Sequence, residues 1–182
     1  MSTDDRMEKQ TGLVHVYYGD GSGKTTAAFG LAFRCAGRGK RVVIARFLKP
    51  GESGEVIAAE RFPEITLVRG SGVRKFTFQM DDAEKARTAG DCAAIFQKAV
   101  SLARSKDVRM LVLDEVTDAC RSFLPVDELT GFLDSKPEGL EVVITGHVLP
   151  EELAARADYI SCVRKERHPY DRGVLARSDI EF

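Results

Sequence analysis

Six short runs rich in aliphatic and β-branched residues, at 13–18, 41–47, 65–69, 109–113, 141–145 and 159–163, alternate with longer stretches between them. Most of these runs are continuously apolar, as strands buried on both faces must be, and parallel strands need crossovers of about a dozen residues to reconnect them. Two intervening stretches have helical character. Residues 24–36 form one helix closed by Gly37 and Gly39, and residues 83–103 form another, with Ala86, Ala89, Ala93, Phe96, Val100 and Ala103 recurring on one face. Pro125 and Pro150, each followed closely by an acidic residue, mark two further helix starts. The expected fold is α/β, a mostly parallel sheet with helices on both faces.

A chain of 182 residues that is 43% hydrophobic fits a single domain with a core of ordinary size, spanning residues 12–182 behind a flexible arm of residues 1–11. With 27 basic and 28 acidic side chains the net charge is −1, so no global field attracts a nucleic acid or an anionic membrane, and neither is expected as a partner. The apolar runs are far shorter than the roughly 20 residues of a membrane span. The polar residues 1–10 carry no signal core, so the expected location is cytoplasmic. Cys35, Cys92, Cys120 and Cys162 are widely spaced without a CxxC pair, and they read as small buried residues.

The chemistry concentrates where the first strand meets the first helix. Gly19, Asp20, Gly21, Ser22, Gly23, Lys24, Thr25 and Thr26 form a glycine-rich loop ending in Gly-Lys-Thr-Thr. Such a loop turns backbone N–H groups inward around phosphate oxygens, Lys24 adds a cation, and a threonine hydroxyl can ligate Mg²⁺. The usual spacing is GxxxxGK[ST]. Here Tyr18 stands where the first glycine belongs, so the loop is one residue short. The apolar run ending at Leu113 delivers Asp114 and Glu115, two carboxylates suited to Mg²⁺ beside phosphates. Together these features narrow the fold to a P-loop NTPase-like (RecA-like) sheet.

In such a sheet ligands bind outside the carboxyl edge. The segments expected there are the loop, Leu48 and Lys49, residues 70–78, Asp114 with Glu115 and Thr117, Gly146 with His147, and residues 164–171. Phe76 and Phe78 fit two roles, a plug of the local core or a wall for a large flat ligand. His147 and His168 lack a matching nucleophile or ligand spacing and read as hydrogen-bonding loop residues, whereas His15 inside the first strand reads as structural.

The order and identity of these segments resemble the P-loop-type ATP:corrinoid adenosyltransferases. The resemblance rests on residues 12–32, on Gly37-Arg38-Gly39-Lys40-Arg41-Val42 with Phe47-Leu48-Lys49, and on Leu111-Val112-Leu113-Asp114-Glu115. Val143-Ile144-Thr145-Gly146 and His168-Pro169-Tyr170 with Gly173 complete it, so that it runs from Gly12 to Phe182. It implies transfer of the 5′-deoxyadenosyl group of ATP to Co(I) of a reduced corrinoid, with release of tripolyphosphate. It implies Lys24, Thr25 and Glu115 as catalytic residues, and Thr25, Asp114 and Glu115 as holders of Mg²⁺. The loop residues, Lys49, Phe76, Phe78 and His168 would bind ATP or corrinoid, the two phenylalanines packing near the corrin. A homodimer and an electron-donating flavoprotein are implied as well. Co(I) is itself a strong nucleophile, so the protein needs no general base but must stabilise a charged leaving group.

The chain departs from this pattern at four places. Many members have Lys at Ser22, Arg at His147, Trp at Phe78 and Gly at Asp179. Loss of two cations predicts weaker ATP binding. Two other readings stand beside the transferase, a divergent P-loop ATPase or kinase and a non-catalytic module that binds ATP or corrinoid.

Overall fold

The computed structural model describes residues 11–49, 51, 53–70, 77–105 and 107–182. Six parallel strands, β1 (Val14–Tyr18), β2 (Arg41–Arg46), β3 (Ile65–Arg69), β4 (Val108–Asp114), β5 (Glu141–Gly146) and β6 (Tyr159–Cys162), form one sheet in the order β3-β2-β4-β5-β1-β6. The expected parallel α/β architecture is therefore present, with strand ends shifted by a residue at most. β5 separates the loop-bearing β1 from the acidic end of β4. Val142 in β5 pairs with Val14 on one side and Leu111 on the other, so the two carboxyl ends finish level across it.

Helices cover both faces. α1 (Lys24–Ala36) and α2 (Gly54–Ala59) bury Phe29, Ala32 and Val56 against Ile44, Val112 and Val143. On the opposite face α3 (Asp82–Ala103), α4 (Val116–Cys120), α5 (Val126–Asp134) and α6 (Glu151–Ala154) cover Val43, Leu111, Leu113 and Ile144. Period-two alternation along each strand divides these side chains between the two layers. α5 and α6 begin directly after Pro125 and Pro150, as expected from a fixed φ and a dispensable N–H.

Two sequence expectations need correction. The buried row of α3 is Thr88, Cys92, Ile95, Phe96, Ala99 and Ala103, whereas Ala86 is exposed and Ala89, Ala93 and Val100 are half-buried. Alanines gain little from burial, so Ile95 and Phe96 set the rotation of the helix. α1 ends at Ala36 with Gly37 as its C-cap, as expected; Gly37 is still helical at φ −62° and Gly39 takes the left-handed conformation at φ +69°. Cys162 is exposed, since β6 is an edge strand whose four residues all remain accessible. His15 is structural as expected, stacked on Tyr159 at 4.4 Å and paired with Glu141.

Candidate active site

The loop after β1 is held against the segment that follows β6. Gly21 N–H donates to the Val163 carbonyl at 2.8 Å, and Asp20 accepts from Lys165 N–H at 3.0 Å, a bond that holds the Asp20 carboxyl below its ordinary range. Gly19 lies at φ +117°, and a Cβ there would stand 2.3 Å from the Val163 carbonyl oxygen. Only glycine permits both the dihedral and the approach.

The chain treats its two long helices differently at their starts. α3 has a complete capping box, with Asp81 accepting from Glu84 N–H and Glu84 from Asp81 N–H. α1 has Gly23 at its N-cap, no side-chain cap and no acidic residue in its first turn. Its leading N–H groups therefore face the loop without an internal acceptor, the arrangement that binds oxyanions. Lys24 Nζ donates to the Gly21 carbonyl at 2.8 Å and so lies over the loop. Burial pulls this ammonium below the usual lysine range, with Asp118 and Glu115 opposing the shift.

Behind the loop lies a polar knot made from three strand ends. Asp114 is fully buried, and its Oδ1 accepts from Thr25 Oγ1 at 2.9 Å and from Thr145 Oγ1 at 2.8 Å. Thr145 Oγ1 in turn accepts from Glu115 N–H at 2.8 Å. Lys49 Nζ stands 2.9 Å from Thr25 Oγ1, 3.1 Å from Glu115 Oε1 and 3.5 Å from Asp114 Oδ2. Burial alone would lower the Lys49 pKa, but the charges of Asp114 and Glu115 override it and hold it above the usual value. Burial raises the Glu115 carboxyl, and Lys49 opposes that rise.

Leu48 (φ 56°) and Glu115 (φ 62°) are the two non-glycine residues with positive φ among the described residues. Each position costs about 1–3 kcal/mol and persists only where surrounding structure enforces it. They lie at the ends of adjacent strands, one beside Lys49 and the other bearing the carboxylate that Lys49 meets.

A cavity of about 550 Å³ opens over this knot, lined by residues 20–26 together with Arg46, Lys49, Glu115, His147 and His168. Most of the sequence-selected site thus converges. Asp114 and Gly19 lie outside the lining. Thr117, expected at the same edge, is buried beneath Gly146. Phe76 lies outside the described residues, and Phe78 falls in the turn Thr77–Gln79 with its side chain outside the description. Asp118 Oδ2 accepts from His147 N–H and lies 3.0 Å from its Nδ1, and His168 caps the turn Pro169–Arg172 by accepting from Tyr170 N–H.

Several contributors were not singled out from sequence, among them Ser53 and Glu55 at the start of α2. Arg46 ends an otherwise apolar strand, a position whose charge is itself a signal. Ala176, Ile180, Glu181 and Phe182 close one side of the cavity, and no periodicity marks that segment. It is shaped by Arg177, which donates to Glu181 from its backbone N–H at 2.8 Å and its guanidinium at 2.8 and 3.1 Å.

The donor set suits Mg²⁺. Thr25, Glu115 and the recessed Asp114 supply hard oxygens, and among the described residues no cluster of three or more acidic, histidine or cysteine side chains forms a full cage. That suits an ion that takes one or two carboxylates and completes its shell with water and phosphate oxygens.

The family model described as ATP:corrinoid adenosyltransferase BtuR/CobO/CobP matches residues 10–182. The chain is 32% identical over 177 residues to the corrinoid adenosyltransferase of Escherichia coli K12, covering 96% of this chain and 88% of that one. It is 33% identical over the same shares to the corrinoid adenosyltransferase CobA of Salmonella typhimurium LT2. Among solved structures, the cytoplasmic domain of EssC superposes with a TM-score of 0.53 at 16% identity over 91% of this chain, which spans 34% of that protein, a likeness of fold alone. A loop, an acidic strand end and a sheet order arranged in this way, with a match along nearly the whole length, show that the chain belongs to the ATP:corrinoid adenosyltransferase family of enzymes.

Proposed function

We propose that the protein transfers the 5′-deoxyadenosyl group of ATP to the Co(I) centre of a reduced corrinoid, forming adenosylcobalamin or a related adenosylcorrinoid and releasing tripolyphosphate. The cobalt electron pair forms the Co–C5′ bond, the C5′–O bond breaks, and its electron pair leaves on the tripolyphosphate oxygen. The supporting observation is the uncapped start of α1 beside Lys24, with Thr25 and Glu115 on the same cavity. These groups stabilise a departing polyanion, which is what a reaction with a ready-made nucleophile asks of its enzyme.

In this reading N–H groups of the loop and of the first turn of α1 hold phosphate oxygens, and Lys24 neutralises charge that grows on the leaving group. Mg²⁺, when bound, would be held by Thr25 and Glu115 with Asp114 behind them, and would share that charge. Thr145 orients Asp114 and the Glu115 backbone together. Ile180 and Phe182 offer an apolar side to the nucleoside, and Lys49 and His168 complete the ligand-facing rim. Phe76 and Phe78 are assigned to the corrin by the family resemblance. Residues 12–182 would act as one domain behind the arm 1–11, in a cytoplasmic homodimer whose corrinoid substrate is reduced to Co(I) by an electron-donating flavoprotein. Among the described residues no helix is long and apolar enough to cross a membrane.

The test is incubation with MgATP and chemically reduced cobalamin. The adenosylcobalamin spectrum with stoichiometric tripolyphosphate is expected. ADP and phosphate would instead identify an ATPase or kinase, and binding without product would identify a carrier.

A further inference from the structure

Arg46 stands apart from the other cations of the cavity. Its side chain is 5% exposed, yet among the described residues it makes one hydrogen bond, a long one of 3.4 Å from a terminal guanidinium nitrogen to the Gly51 carbonyl. Nε is buried and has no hydrogen-bond partner among the described residues. The nearest carboxylate oxygen, Asp114 Oδ2, lies 3.8 Å from it, beyond hydrogen-bonding reach, and that oxygen is shared with Lys49. The other oxygen of Asp114 already accepts two hydroxyls.

A guanidinium stays charged at any ordinary pH, and taking it out of water without good acceptors is costly. The cavity that Arg46 lines is also the one that exposes the start of α1 and Lys24. Of the other acidic groups on its wall, Asp20 is engaged with Lys165 N–H, Glu115 with Lys49 and Glu181 with Arg177, and Glu55 makes a long contact of 3.4 Å with the Thr26 hydroxyl. Among the described residues no further hydrogen-bond acceptor reaches the fork; a ligand would supply one, and a planar guanidinium matches phosphate oxygens two at a time.

We propose that Arg46 is a polyphosphate-binding residue of this site, a forked cation that joins Lys24 in holding the tripolyphosphate portion of ATP and the released tripolyphosphate. It deepens the transferase reading and rests on it for the identity of the polyphosphate. The site then regains through Arg46 positive charge that Ser22 and His147 do not provide.

The experiment is isothermal titration of the intact protein with inorganic tripolyphosphate and, separately, inorganic phosphate, with and without Mg²⁺, for the parent, Arg46→Met and Arg46→Lys. Charge-assisted hydrogen bonds of this kind set the expected loss of tripolyphosphate affinity in Arg46→Met at roughly ten- to hundredfold. Single-phosphate binding should change much less, and Arg46→Lys should recover part of the loss. Tripolyphosphate affinity within twofold of the parent in both variants, with only the melting temperature lowered, would overturn the assignment in favour of simple charge balance with Asp114. If Arg46→Met does not fold, Arg46→Lys decides alone, a fivefold or larger loss supporting the assignment and an unchanged affinity overturning it. Adenosyl product is scored separately. Product with no effect at Arg46 sinks this inference and spares the transferase, whereas an Arg46 effect on tripolyphosphate without product does the reverse.

Discussion

The Thr25 hydroxyl donates to Asp114 Oδ1 across 2.9 Å, tying the first turn of α1 to the end of β4 over 89 residues of sequence. Lys49 and Thr145 close the same knot from β2 and β5. Three strand ends and the phosphate loop are thereby coupled through one buried carboxylate. Asp114→Ala should destabilise the fold by about 3–5 kcal/mol, because it removes the acceptor of the Thr25 and Thr145 hydroxyls and the carboxylate nearest Arg46, and leaves Lys49 with Glu115 alone. Asp114→Asn keeps an oxygen for the two hydroxyls and should cost less. Urea denaturation of the two variants checks the order.

Lys24 makes its hydrogen bond within its own loop, so its removal should hardly touch stability. Lys24→Ala is expected to lower adenosyl transfer by about 10²–10³ or more, the scale of a lost charge stabiliser. Full activity with an unchanged melting curve would show that the cation is not used.

Gly146 ends β5 against α4. A Cβ there would lie 1.8 Å from Thr117 Oγ1, which is buried and has no hydrogen-bond partner among the described residues. Gly146→Ala should cost about 1–3 kcal/mol as an overpacked site. Adding Thr117→Ala removes the nearest atom and should return part of that loss, a coupling that a double-mutant cycle measures directly.

Thiol reactivity should follow exposure and acidity. Burial raises the Cys92 thiol to about 11 and the Cys120 thiol to about 12, while Cys162 is exposed. Iodoacetamide at about pH 8 should label Cys162 first and reach Cys92 and Cys120 only after denaturation. Peptide mass spectrometry gives the order, and early labelling of Cys120 would contradict the packing of α4.

Arg177 hydrogen-bonds Glu181 and holds its carboxyl at about 2 instead of 4.5. A depressed carboxyl stabilises the fold above its unfolded value and loses that contribution as pH falls through the folded one. The clasp beside the cavity should therefore be intact above about pH 4.5 and released towards pH 2. NMR titration of Glu181 should show the low midpoint, and Arg177→Ala should return it towards the ordinary value.

Local signals carried much of the architecture. Apolar runs located the six strands to within a residue, Pro125 and Pro150 located two helix starts, and Gly-Lys-Thr-Thr located the phosphate loop, since each depends on neighbours within one turn or one pleat. The rotation of α3 was read wrongly because its alanines carry little burial energy, so the sheet it meets decides. β6 was read as a strand correctly, but its exposure is a matter of position at the edge, which a run of residues does not encode.

What the sequence determined by itself was the alternation, the loop and the pair of carboxylates at a strand end, all properties of contiguous residues. Only the tertiary structure decided that Asp114 lies beneath the cavity while Glu115 lines it, that Thr145 binds them together, and that residues 176–182 close one side. It also decided that Arg46 is buried with donors to spare. These facts depend on strand order and register, which bring β2, β4 and β5 side by side, and burial turns an ordinary arginine at the end of a strand into a charge that needs an anion.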